Sequence, residues 1–180
     1  MTIKNVPNIL TAIRILLVPV ICILMYFNNF YLNILAIFFS FFACITDFFD
    51  GKIARKYNCC SAFGKCMDPI ADKILVMTLI IMLVYQQKAW IFPSIIILSR
   101  EFIVSGIREF VSKEKQIIIH VSQLAKIKTA TQMFSLLFLM IFSFDYYLNI
   151  AGNILLTFAS ILSIITCFQY VKSVKNVIFA

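Results

Sequence analysis

Four aspartates, Asp47, Asp50, Asp68 and Asp72, are the residues of this chain best suited to chemistry. They fall in one segment, DFFDGKIARKYNCCSAFGKCMDPIADK. Asp47 and Asp50 are three residues apart, and Asp68 and Asp72 are four apart. On a helix, either spacing puts a pair on one face. Two helices joined by a short loop can lie antiparallel with their acidic faces opposed. Four carboxylates at close range repel one another, and divalent cations remove that repulsion. Hard oxygen ligands suit magnesium or manganese. The chain has 8 acidic residues, and half of them lie in this stretch, so chance scatter explains the cluster poorly.

The neighbouring residues fit the same chemistry. Gly51 and Ala54 share the helical face of Asp47 and Asp50, and Gly64 lies one turn before Asp68. Small residues beside ligands let a substrate or a neighbouring helix approach. Arg55 supplies a cation for phosphate oxygens. Gly51 and Gly64 taken alone read as packing glycines, and Pro69 as a first-turn or kink residue. Together the residues describe a metal–phosphate site. Two metals there could hold a diphosphate and stabilise the charge of a phosphoryl transfer. A carboxylate not fully engaged by metal could accept a proton from an attacking hydroxyl.

The elements that carry these residues must be membrane helices. Of 180 residues, 62% are hydrophobic and only 13% charged. Mean hydropathy is +0.97. Soluble domains are about a quarter charged. The expected architecture is all-α and integral to the membrane, a single domain over 1–180 with six transmembrane helices. Apolar runs centre on residues 9–27, 30–53, 67–85, 90–110, 129–147 and 150–170. Asn28-Asn29 leaves room only for a tight hairpin between the first two. Between Lys73 and Lys88 too few uncharged residues remain for a crossing of about 20 residues. The third helix must therefore start near Gly64 and carry Asp68 and Asp72 within it. Nothing reads as a cleaved signal peptide.

Basic residues set the expected orientation. Lys4, Arg14, Lys52, Arg55, Lys56, Lys65 and Lys73 cluster before the first span or around the second connection. Arg108, Lys113, Lys115, Lys126 and Lys128 surround the fourth, and Lys172 and Lys175 lie in the tail. The opposite side receives only Lys88. Both termini and the site are therefore expected at the cytoplasmic membrane interface. The net charge of +8 fits basic loops facing anionic lipid, and no soluble basic domain exists to bind nucleic acid. The six cysteines lack zinc-ligand spacing and read as small apolar filler. His120 reads as a loop residue. A channel using the aspartates as a filter is a non-enzyme alternative, but the acids cluster at one membrane face rather than along a path.

The residues Asp47-x2-Asp50-Gly51-x2-Ala54-Arg55-x8-Gly64-x3-Asp68-x3-Asp72 match, without gap or substitution, the signature of the CDP-alcohol phosphatidyltransferases. The resemblance covers nearly the whole chain. It implies six membrane helices, a homodimer in a bacterial inner membrane, and a CDP-linked lipid such as CDP-diacylglycerol bound through its diphosphate to two Mg2+ or Mn2+ ions. An alcohol then attacks the lipid-side phosphorus, and CMP leaves. By analogy Asp47, Asp50 and Asp68 are the main metal ligands. Asp72 resembles the general base and also a position that shares the second metal. Gly51, Ala54, Arg55 and Gly64 match positions lining the CDP group. Asn8 and Arg14 could reach the diphosphate from the first helix, with capping and interfacial anchoring as equal alternatives.

Three further segments resemble the bacterial phosphatidylglycerophosphate synthases, the branch whose acceptor is sn-glycerol 3-phosphate. They are Val6-Pro7-Asn8-Ile9-Leu10-Thr11 with Arg14 and Pro19, Arg100-Glu101-x3-Ser105-Gly106-x-Arg108-Glu109, and Ser122-x-Leu124-Ala125-Lys126-x-Lys128-Thr129-x2-Gln132-Met133. Ala125 departs from the glycine of many relatives. An anionic acceptor needs cations beyond the metal site, and Arg108, Lys126 and Lys128 are the candidates for its phosphate. Lys113 and Lys115 read as topogenic, and Glu101 and Glu109 as partners of nearby arginines. Other acceptors, namely phosphatidylglycerol, serine or inositol phosphate, remain open within the same fold.

Overall fold

Two asparagines turn the chain between its first two helices. Asn28 takes a left-handed backbone with φ 46°, a conformation that Asn tolerates better than most residues. Its N–H donates to the Met25 carbonyl at 3.1 Å. The Asn29 side chain accepts the Tyr31 N–H at 2.9 Å, capping the helix that follows. In this computed structural model every regular element among the described residues is helical: α1 (Val6–Tyr26), α2 (Phe30–Tyr57), α3 (Ala62–Tyr85), α4 (Ile91–Lys115), α5 (Gln123–Phe142) and α6 (Tyr146–Ile178). The structure describes residues 6–57, 62–115, 123–142 and 145–178. Among its helices α3 begins at Ala62, so it carries Asp68 and Asp72 as the short Lys73–Lys88 interval requires.

The break between the last two helices falls earlier than hydropathy suggests. The apolar run was expected to continue through Tyr147, but α5 ends at Phe142. Asp145 accepts the N–H groups of Tyr147 and Leu148 at 3.0 and 3.1 Å and so starts α6 at Tyr146. Aromatic residues on both sides hide this cap from a hydropathy reading.

The chain divides into two compact units, Met1–Gln86 and Gln87–Ala180. In the first, α1 packs along both α2 and α3. Its buried stripe is Arg14, Val18, Ile21 and Met25. On α2 the buried stripe is Asn33, Ala36, Ser40 and Ala43, small enough for close helix approach. The Ser40 hydroxyl returns its hydrogen bond to the Ala36 carbonyl at 2.7 Å. Tyr26 stacks on Tyr85 with centroids 5.8 Å apart, and the Gln86 amide donates to the Met25 carbonyl. Helices α1 and α3 therefore run parallel and end level.

In the second unit α6 packs along both α4 and α5. Asn153, fully buried, accepts the Trp90 N–H at 2.7 Å and donates to the Lys88 carbonyl at 2.9 Å. Asn149 donates to the same carbonyl. This knot seats the connection before α4, where Gln87 has φ 60°. Gly152 lets α6 press against α5, since a Cβ there would meet the Leu139 side chain at 2.6 Å.

Outward faces are apolar. Leu16, Ile23, Phe38, Phe92, Phe102, Phe134 and Phe168 are all exposed, which suits lipid tails better than water. Gln123–Phe142 and Tyr146–Lys175 are each long and apolar enough to cross a bilayer. Ala12–Tyr26, Phe30–Ala43 and Lys73–Tyr85 are shorter apolar stretches.

Candidate active site

The first unit sets the depth of the aspartates through its helix register. Asp47 and Asp50 lie in the C-terminal half of α2, and Asp68 and Asp72 in the first half of α3. Tyr26 and Tyr85 mark a common level on α1 and α3. A helix rises about 1.5 Å per residue, so Arg14 and Lys73 both lie about 18 Å below that level. Asp72 thus sits at the depth of Arg14, and Asp68 at the depth of Ile9, beside Asn8. Counting down α2 from the Asn28-Asn29 turn puts Asp47 near the depth of Asp68. Asp50 lies about one turn further from the turn. Counted along the helix axes, the four acidic positions therefore share one end of this unit and differ in depth by about two helical turns.

Arg14 is 1% exposed and continues the buried stripe of α1, so its guanidinium is an interior group rather than an interfacial anchor. Gly51, Ala54, Arg55 and Gly64 lie on the helix segments bearing the aspartates. The side chains of these four residues, of Asn8 and of the four aspartates lie outside the described residues, as does His120. Four hard carboxylates at one helix-pair end fit magnesium or manganese by donor type.

The basic residues expected to meet an acceptor phosphate all belong to the second unit, but they do not share one face. Arg108 is exposed on α4, its guanidinium carbon 5.9 Å from the Tyr170 ring centroid of α6. Lys126 is exposed on α5. Lys128, two residues on, points to nearly the opposite side and is only 2% exposed. It pairs with Glu101 of α4. Glu101 also takes Arg100 at 3.2 Å, and Arg100 donates to Thr166 of α6 at 3.1 Å. Gln132, one turn beyond Lys128, is buried on the same face of α5.

At the far end of the same unit Lys88 is buried, and burial pushes its amine down to about 8.

The family model of the CDP-alcohol phosphatidyltransferases matches residues 4–170, which includes every candidate site residue named above. The chain belongs to the CDP-alcohol phosphatidyltransferase family. A Rickettsia typhi protein named CDP-diacylglycerol–glycerol-3-phosphate 3-phosphatidyltransferase is 48% identical over 176 residues, 96% of this chain and 98% of that protein. Proteins of the same name from Haemophilus influenzae and Salmonella choleraesuis are 36% and 30% identical, each over 96% of this chain and over 94% and 96% of their own lengths.

Sequence reasoning missed three features of this phosphatidyltransferase. The Asn149–Asn153 knot was hidden in an apolar run, although two asparagines four apart share a helix face. The cap at Asp145 was likewise passed over. The Lys128–Glu101 pair spans 27 positions, and no local spacing announces it.

Proposed function

We propose that this chain transfers the phosphatidyl group of CDP-diacylglycerol to sn-glycerol 3-phosphate, giving phosphatidylglycerophosphate and CMP. The observation that carries this reading is the near-full-length similarity to proteins named for that reaction, joined to the unbroken aspartate signature. The register of α1, α2 and α3 is compatible with it, since it puts the four acidic positions at similar depths toward one end of the first unit.

In this reading Asp47, Asp50 and Asp68, with Asp72 sharing, hold two Mg2+ or Mn2+ ions. Such ions neutralise the diphosphate and favour departure of CMP. Arg55 and Arg14 add cations for the diphosphate, and Asn8, Gly51, Ala54 and Gly64 leave room for the CDP group. Asp72 takes the proton from the acceptor hydroxyl as that oxygen bonds to the lipid-side phosphorus. The bond from that phosphorus to the bridging oxygen breaks, and the bridging oxygen leaves with CMP. Lys128 and Arg108 meet the phosphate of the acceptor, with Lys126 turned to the other side of α5. All six helices cross a bacterial inner membrane, with both termini and the aspartates on the cytoplasmic side and the chain paired as a homodimer.

The test is an acceptor panel with CDP-diacylglycerol, scored by CMP release with and without magnesium or manganese. Release with glycerol 3-phosphate and metal is expected. Turnover with serine, inositol phosphate or phosphatidylglycerol, but none with glycerol 3-phosphate, overturns the acceptor.

A further inference from the structure

The polar residues inside the second unit form a chain across all three helices. The Thr166 hydroxyl of α6 donates to the Ser163 carbonyl at 3.0 Å and accepts from Arg100. The other arm of the Arg100 guanidinium donates to Glu101 Oε1, and the same oxygen accepts from the ammonium of Lys128. Lys128 and Thr166 are 2% and 3% exposed. Helix α6 packs along α4 and along α5, and the Lys128–Glu101 pair ties α5 to α4. Ionised groups within membrane helices are expensive, and an apolar contact would hold helices together as well. A lysine held this way has given up the freedom of its four-carbon stem before any ligand arrives.

We propose that Glu101 is a positioning residue for the acceptor. It fixes the Lys128 ammonium, with Arg100 and Thr166 fixing Glu101 in turn, so that the phosphate of glycerol 3-phosphate meets a preset cation. This rests on the reading that Lys128 contacts the acceptor phosphate. Glu101 itself touches no reacting atom.

The test measures CMP release by the purified full-length protein for Glu101→Gln, Glu101→Asp, Lys128→Met and the double variant Glu101→Gln/Lys128→Met. Glu101→Gln is expected to raise KM for glycerol 3-phosphate about tenfold and leave KM for CDP-diacylglycerol within about twofold. Glu101→Asp keeps the charge at shorter reach, so its rise is about threefold. The double variant is no worse than Lys128→Met alone, because both act through one group. Thermal unfolding in detergent reports folding separately. If Glu101→Gln does not fold, Glu101→Asp carries the test. Wild-type KM in a folded Glu101 variant, with KM raised in Lys128→Met, overturns the positioning role and leaves the acceptor reading standing. Wild-type KM in Lys128→Met overturns both.

Discussion

At the scale of single residues, the proposed reaction gives the four carboxylates two tasks, holding metal and moving a proton. By register Asp72 lies nearest the Tyr26–Tyr85 level of the four, about one turn beyond Asp68. Replacing it by asparagine keeps an oxygen donor and removes the base. Asp72→Asn is expected to lower kcat by about 10²–10⁴, the usual range for a lost general base. Binding of CDP-diacylglycerol should persist, read by equilibrium binding of radiolabelled donor. Activity near wild type in that variant removes the general-base role. Asp47→Asn acts differently, since it weakens a metal ligand. Its loss of activity should be partly restored by raising magnesium, whereas that of Asp72→Asn should not. Chelation by EDTA should stop CMP release from the wild type, and added magnesium or manganese should restore it. The pairing of the acids was legible in the sequence because spacings of three and four put each pair on one helical face, whereas the division of roles among them rests on the family signature. The cations were less legible. Lys126 and Lys128 look equivalent as text, yet a spacing of two sends one outward and the other to Glu101.

At the scale of elements, close packing and loop chemistry make separate predictions. Gly152 sits where α6 meets α5, and its missing Cβ would press on Leu139 and Phe138. Gly152→Ala is expected to destabilise the second unit by about 1–3 kcal/mol, the range for an overpacked interior. Gly106 on α4 is the control, since nothing lies within 4 Å of a Cβ placed there. Gly106→Ala should leave stability unchanged or slightly raised, because alanine favours helix. Denaturant titration in mixed micelles distinguishes the two. The connection before α4 makes a pH prediction. Lys88 lies between α3 and α4, outside the helices, and its amine falls from 10.5 to about 8 through burial. Between those values the unfolded chain binds more protons than the folded one. Stability contributed by this group therefore rises with pH from about 8 to 10.5, and the full penalty is present below 8. Lys88→Met removes the penalty. Its melting temperature should exceed that of the wild type below pH 8, and the two curves should converge as pH rises to 10.5. Parallel curves across that window would show that the Lys88 amine is not the cause.

At the scale of the whole molecule, the distribution of charge along the chain predicts its orientation. The helix count and the early start of α3 could be read from hydropathy and from the interval between two lysines. The break at Asp145 could not, because a single capping carboxylate among aromatics barely changes hydropathy. Nor could the division into units of three helices, which depends on packing between residues far apart in sequence. Three helices per unit has a consequence for orientation. An odd number of crossings delivers the chain to the opposite side, so the connection carrying Lys88 should face away from both termini. Lys88 is the one basic residue between α3 and α4, whereas basic residues crowd the helix ends flanking the α2–α3 and α4–α5 connections and the last turns of α6. Positive residues are retained on the cytoplasmic side during insertion. Alkaline phosphatase fused after Lys88 is therefore expected to be active in an Escherichia coli host, and a green fluorescent protein fused after Ala180 to be fluorescent. The reverse pattern would invert the assignment. An active phosphatase at both positions would mean that the number of crossings is not six, because six crossings cannot leave residue 88 and the C-terminus on one side.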